Sequence, residues 1–342
     1  MPKPVGLFHR HPRNAPGDPG SYSARGDILK AFFDATALWD YNSNVGTLAD
    51  AICGNLRNRR LSSGAWSFSP KGNQAALEPT CLALLALCPD LQDRAVEPLL
   101  RLQSKNGSSG AFERDEEGSG LTGIALLTLN KLGVRGGAPE RSLSWLLNSC
   151  GREAHWLQNW KFRMTDTRVQ FNPAKFGWPW QPGTCSWVVP TAFALIALQQ
   201  TFPGRRCGKV GHRIHSGVEM LFDRACPGGG WNAGNGVVYG HPMKPHIDAT
   251  AMALLALRAE PFNSIVESSL SWLEGQASLC PAPWSLAWAI LALHAYNRSI
   301  GPLQQRLLAI LKPETVADNA TLAAAVLALK CETDNNPFRA IV

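Results

Sequence analysis

His246, Asp248 and Thr250 alternate along His246-Ile247-Asp248-Ala249-Thr250-Ala251, directly ahead of an apolar run over 252–257. A carboxyl group placed there can donate a proton if its surroundings keep it protonated. Burial in an apolar cavity raises a carboxyl pKa by up to about 3–5 units. His246 could hydrogen-bond one carboxyl oxygen and leave the acidic proton free, although a charged imidazole would oppose a high pKa. The structural alternative makes Asp248 the N-cap of the helix that follows. Glu78 holds the matching place before the run 82–87 and is a second candidate acid. Its alternative is a first-turn carboxylate favoured by the helix dipole. Asp115, Glu116 and Glu117 form an acidic run in a glycine-flanked turn, which reads as a solvated loop.

Twelve tryptophans supply a second kind of chemistry. Trp66, Trp231 and Trp284 follow turns and are expected as wedges between helices. Trp178, Trp180, Trp187 and Trp288, with Tyr239 and Phe112, are candidates for lining a ligand cavity. There an aromatic face stabilises a cation by about 0.5–2 kcal/mol; plain core packing is the alternative. His241-x4-His246-x-Asp248 has a spacing that admits a metal, whereas His212-x2-His215 reads as a surface pair. No phosphate-binding glycine loop, Gly-x-Ser-x-Gly elbow or HExxH motif occurs.

The elements that must position these residues repeat. One apolar phrase appears six times, at 82–87, 124–129, 193–198, 252–257, 288–293 and 324–329, with steps of 42, 69, 59, 36 and 36 residues. Such a period marks a repeat architecture whose units bury their apolar faces only by stacking. Each unit reads as a Gly-x-aromatic turn (Gly64-Ala65-Trp66, Gly110-Ala111-Phe112, Gly229-Gly230-Trp231), then a helix apolar all round. An amphipathic helix follows, over 92–103, 140–148, 217–225, 265–276 and 303–311. A helix apolar on every side must be enclosed, while one with a polar face can meet water. The simplest packing is an inner ring of six helices within an outer ring, an all-α (α/α)6 barrel; an open solenoid is the alternative. Glu78, Val189 and Asp248 then ring one mouth of the barrel. Strand signals are nearly absent.

Composition bounds the rest. The 342 residues are 45% hydrophobic, enough for a large core. Residues 1–26 read as a poorly ordered tail, 27–342 as one domain with early helices over 28–38 and 47–56. The longest apolar stretches reach about half of the roughly 20 residues that span a bilayer, and no secretory signal is evident. Nine cysteines without a framework fit a reducing cytoplasm. A net charge of +7 would favour peripheral contact with an anionic membrane surface or a phosphorylated substrate. No basic stripe with interleaved aromatics points to nucleic acid.

The repeated Leu-x-x-Gln and Gly-x-Trp elements, between alanine- and leucine-rich helices, resemble the repeats of squalene and oxidosqualene cyclases. Protein prenyltransferase β subunits share that barrel. Leu100, Gln103, Gly110 and Phe112, then Gly229, Gly230 and Trp231, then Leu273, Gln276 and Trp284 carry the resemblance, with Phe112 in place of Trp. The chain is also similar to bacterial single-domain squalene-cyclase-like proteins, through 177–188 and 230–240. Asp248-Ala249-Thr250-Ala251 resembles the Asp-x-Asp-Asp-Thr-Ala signature of class II terpene cyclases, whose middle Asp protonates an alkene or epoxide. Here His246 and Ala249 replace its flanking carboxylates. The zinc set of the prenyltransferases is incomplete, because Thr250 stands where its Cys would be. The resemblance implies a cofactor-free cyclase acting on an isoprenoid lipid, with Asp248 as acid. A non-catalytic isoprenoid-binding or protein-interaction scaffold is the alternative. A third reading, an (α/α)6 glycoside hydrolase, needs two carboxylates about 5–10 Å apart.

Overall fold

Each apolar phrase lies in a helix with scarcely any exposed residue. These are α2 (Leu77–Leu87), α4 (Thr122–Lys131), α6 (Val188–Thr201), α8 (Ile247–Leu257), α10 (Pro283–Ala295) and α12 (Asn319–Leu329). Helices with a polar face alternate with them: α1 (46–58), α3 (Glu97–Arg101), α5 (Gly137–Asn148), α7 (Gly208–Asp223), α9 (Ser264–Ala277) and α11 (Gly301–Ile310). The computed structural model describes residues 46–87, 96–115, 117–157, 160–161, 171–311, 318–332 and 336–339. The expected tail over 1–26 and the helix over 28–38 lie outside them, as does Glu116. The outer helix expected over 217–225 begins at Gly208, so His212 and His215 lie within it, both exposed.

The even-numbered helices close into a ring. α2 packs on α4, α4 on α6, α6 on α8, α8 on α10, α10 on α12, and α12 returns to α2. Odd-numbered helices cover the outside: α3 on α2, α5 on α4, α7 on α6, α9 across α8 and α10, α11 across α10 and α12. Asn319 stitches the closing seam, donating from Nδ2 to Ser67 O at 2.8 Å and from its backbone N–H to Phe68 O at 2.9 Å. This is the (α/α)6 barrel; the α12–α2 contact excludes the open solenoid. Small residues permit the close approach. A Cβ on Gly123 of α4 would sit 2.6 Å from Ala194 N of α6. No helix among the described residues is long and apolar enough to cross a membrane.

One clamp recurs at the inner-helix starts. The backbone N–H groups of Trp66, Trp178 and Trp231 donate to the Oγ1 atoms of Thr80, Thr191 and Thr250 at 3.0, 2.9 and 2.9 Å. Their indole Nε1 atoms donate to Leu56 O, Leu146 O and Leu221 O, near the ends of the preceding outer helices. Each tryptophan is thereby a wedge tying turn, outer helix and inner helix together. In the second unit the donor to Thr122 Oγ1 is Ser109 N, at 2.9 Å. The turn bonds agree: Leu61, Ser104 and Cys226 N–H bind the carbonyls of Ala65, Ser108 and Gly230, and Gly64, Gly107 and Gly229 all have positive φ. The Gly110-Ala111-Phe112 match is therefore three residues out of register. Ser109 stands at the wedge position, and Phe112 is free of it.

Aromatic rings meet inside the ring of inner helices. Phe193 of α6 and Trp288 of α10 sit on inner helices that are not ring neighbours, yet their rings lie 5.9 Å apart. They meet on the axis. Phe338, from a segment beyond α12, adds its ring 4.8 Å from Trp288, and Trp284 packs edge-on at 5.7 Å from the other side. Phe193, Trp288 and Phe338 are fully buried.

Candidate functional site

Open space lies at the mouth formed by the N-terminal ends of the inner helices. A cleft of about 540 Å³ there is walled by Phe68, Phe112, Leu121, Trp180 and Trp187. Phe68 and Phe112 meet edge to face, 6.0 Å between ring centres. Asp115 and Glu117 add an acidic wall. Asp115 also folds its loop, Oδ2 accepting from Ala111 N–H at 3.0 Å. The run expected as a solvated loop thus contributes to the cleft.

Backbone bonds bring this aromatic wall against the start of α2. Leu77 N–H donates to Ala111 O, Glu113 N–H to Ala75 O, and Asn319 N–H to Phe68 O, each within 3.1 Å. Glu78, second residue of α2, therefore follows directly on the bond to the Phe112 loop, while its own side chain is not in the cleft lining. Its carboxyl is pushed up to about 7, first by loss of hydration among crowding protein atoms and second by the negative charge of Asp318. Glu78 nevertheless keeps some accessible surface. Asp318 caps α12, one carboxylate oxygen accepting from Thr321 N–H at 2.7 Å. Reading the sequence alone missed Asp318. The available signal was its N-cap position ahead of the sixth apolar phrase.

Asp248 is half-buried in the first turn of α8, with Oδ1 accepting from Ala249 N–H at 2.9 Å. The N-cap residue is His246 rather than Asp248, and its imidazole makes no capping bond. His246 is exposed, and its backbone N–H donates to Trp231 O at 2.8 Å. Neither Asp248 nor His246 lines the aromatic cleft. Around the ring α8 is separated from α2 by α10 and α12, so the mouth has an aromatic arc over α2–α4–α6 and carboxylates at the starts of α8, α12 and α2.

Three of the six aromatic candidates reach the cleft: Phe112, Trp180 and Trp187. Trp178 is a repeat wedge, 1% exposed, with the Arg213 guanidinium stacked 3.9 Å from its ring centre. Trp288 is in the packed axis. Tyr239 is 65% exposed at the tip of a two-residue hairpin turn between β1 (Val237–Val238) and β2 (His241–Pro242). Tyr239 and Gly240 both have positive φ, as such a turn requires. His241 belongs to this exposed hairpin, and no group of three or more metal-binding side chains occurs among the described residues.

No protein-family profile and no curated protein sequence matches the chain. Solved structures do share the fold. The type II terpene cyclase MstE from Scytonema, an arginine-to-alanine variant in complex with geranylgeranyl dihydroxybenzoate as substrate, is 15% identical. The match covers 87% of this chain and 82% of that one, with a TM-score of 0.50. An α-amylase from Clostridium perfringens is 12% identical over 82% of this chain and 96% of its own, with a TM-score of 0.55. One helical toroid thus serves two unrelated chemistries, so the likeness speaks to architecture.

Proposed function

We propose that this protein is a terpene-cyclase-like acid catalyst that takes an isoprenoid lipid at the aromatic mouth and protonates an alkene or epoxide through Glu78. The observation that carries this reading is the Glu78 carboxyl, raised to about 7 in the first turn of α2, next to Leu77, whose N–H binds Ala111 O in the loop that brings Phe112 to the aromatic cleft. A carboxyl protonated near neutral pH can supply the proton that starts a cation cascade. The proton passes from the Glu78 carboxyl to a substrate carbon or to the epoxide oxygen, leaving Glu78 as carboxylate and the substrate as a cation. Phe112, Trp180 and Trp187 offer π faces to that cation. Loss of a proton, or addition of water with loss of its proton, ends the cascade and returns a proton to Glu78. Burial first, and then the negative charge of Asp318, favour the proton on Glu78. Asp248 and His246 are assigned to the far side of the mouth, Asp248 as a second carboxylate that stabilises positive charge. A lipid substrate makes peripheral contact with a membrane part of this reading. The MstE complex with geranylgeranyl dihydroxybenzoate makes that compound the first substrate to try.

Product analysis after incubation with geranylgeranyl dihydroxybenzoate, and separately with squalene, tests the proposal. Turnover is expected to fall at least roughly 100-fold in Glu78→Gln, and to decline above pH 7 in the parent as Glu78 ionises. Full turnover in Glu78→Gln overturns the assignment.

The Glu78–Asp318 pair and the α-amylase likeness favour a second reading, glycoside hydrolysis with Glu78 as general acid. Release of reducing ends from maltooligosaccharides, lost in both Glu78→Gln and Asp318→Asn, would select it over the first.

A further inference from the structure

The packed axis contains one group that packing does not satisfy. Trp288 Nε1 is buried and has no hydrogen-bond partner. Buried indole N–H groups ordinarily find an acceptor. Phe338 covers the Trp288 ring without giving its N–H a hydrogen bond. The segment bearing Phe338 belongs to neither ring of helices. It enters from the C-terminal ends of the inner helices and is tied there by polar contacts. Asn336 Nδ2 donates to Leu291 O at 2.8 Å, Gln200 Nε2 donates to Pro337 O at 2.8 Å, and Arg339 Nη2 donates to Asn297 Oδ1 at 3.0 Å. Its own turn is closed by Phe338 N–H donating to Asn336 Oδ1 at 3.1 Å. One aromatic side chain on a polar tether thus fills the axis below Trp288.

We propose that the axis of the ring is a ligand site for a flat apolar ring bearing a carbonyl or ether oxygen, and that residues 336–339 close it with Phe338 as stopper. A ligand of that class replaces the Phe338 ring against Trp288 and gives Nε1 the acceptor it lacks. Withdrawal of the stopper breaks contacts at the helix ends and leaves the two rings of helices intact. The Trp284–Trp288 pair then connects the vacated space to the mouth, where Trp284 holds the position that Glu78 and Asp248 hold in their own helices. The inference goes beyond the acid assigned to Glu78 and stands without it.

The test uses the full chain and Prodan, a fluorescent naphthyl ketone whose emission shifts to the blue on leaving water. The Gln200→Ala/Asn336→Ala double variant cuts two of the three ties and keeps every aromatic ring, so gained binding cannot come from a cavity made by truncation. If the stopper competes with the ligand, this variant binds Prodan at one site, roughly tenfold or more tighter than the parent, because the competent state is more populated. Adding Trp288→Phe should take back roughly five- to tenfold, the loss of one hydrogen bond. Naphthalene, which has no acceptor, should lose nothing by that change. A folded double variant that binds Prodan no tighter than the parent overturns the proposal. So does equal binding with and without the Trp288 indole. Should the double variant fail to fold, Arg339→Ala, which cuts the remaining tie to Asn297 and also keeps every ring, replaces it under the same two criteria. Glu78→Gln turnover is read separately, so failure here leaves the catalytic reading untouched.

Discussion

Glu78, Val189, Asp248 and Trp284 each stand second in an inner helix, yet their surroundings give them different properties. Asp248 spends an oxygen on the Ala249 N–H, as first-turn carboxylates do, whereas Glu78 is crowded, poorly hydrated and faces the charge of Asp318. That difference has a thermodynamic consequence. The fold holds the Glu78 proton up to about pH 7, while an unfolded Glu releases it near 4.5. Between those values the folded state binds more protons, so the Glu78 contribution to stability is intact below pH 4.5 and is lost as pH rises through 7. Glu78→Gln should remove that dependence. At pH 8 the variant should be the more stable protein, by on the order of 2 kcal/mol after allowance for residual solvent access. At pH 4 the two should agree. Urea melts of both proteins at the two pH values check this, and equal differences at both would contradict it.

At the scale of elements, the joint between turn and inner helix recurs four times, with Trp66, Ser109, Trp178 and Trp231 each donating a backbone N–H to a threonine hydroxyl. Thr250 belongs to the sequence resembling a cyclase signature, but Thr80 and Thr191 do the same work where no such signature exists. Replacing any of the three with Val leaves a buried N–H unpaired, at a cost of about 1–3 kcal/mol. Thermal melts should show comparable losses at Thr80→Val, Thr191→Val and Thr250→Val; a loss confined to one site would deny the clamp a general role. The Gly-x-Trp turns and the all-apolar helices were legible in the sequence, because a turn glycine and a helix without a polar face are local properties. The register of the second turn was not. Phe112 looks like the missing wedge by spacing, and only the bond from Ser109 to Thr122 shows that it is free to enter the cleft.

For the molecule as a whole, closure matters more than any single interface. Asn319 ties α12 to the segment ahead of α2 and accepts from Arg59 Nη1 at 3.2 Å, so one side chain adds polar bonds to the packing of α12 on α2. Asn319→Ala should cost about 1–3 kcal/mol. Because a closed ring has no terminal unit to fray, unfolding in urea should stay a single transition. Stepwise loss of helix would mean the units unfold independently. The amino-acid order by itself determined that six all-apolar helices would alternate with half-polar ones and that the former must be enclosed, since water rejects a helix with no polar face. It did not determine which carboxyl would hold its proton or whether the axis would be empty. Glu78 is shifted first by loss of hydration and then by an aspartate from the far end of the repeat, and Trp288 is covered by Phe338 from beyond its last helix. Desolvation and packing are set by what lies nearby in space, and only ring closure brings those residues together.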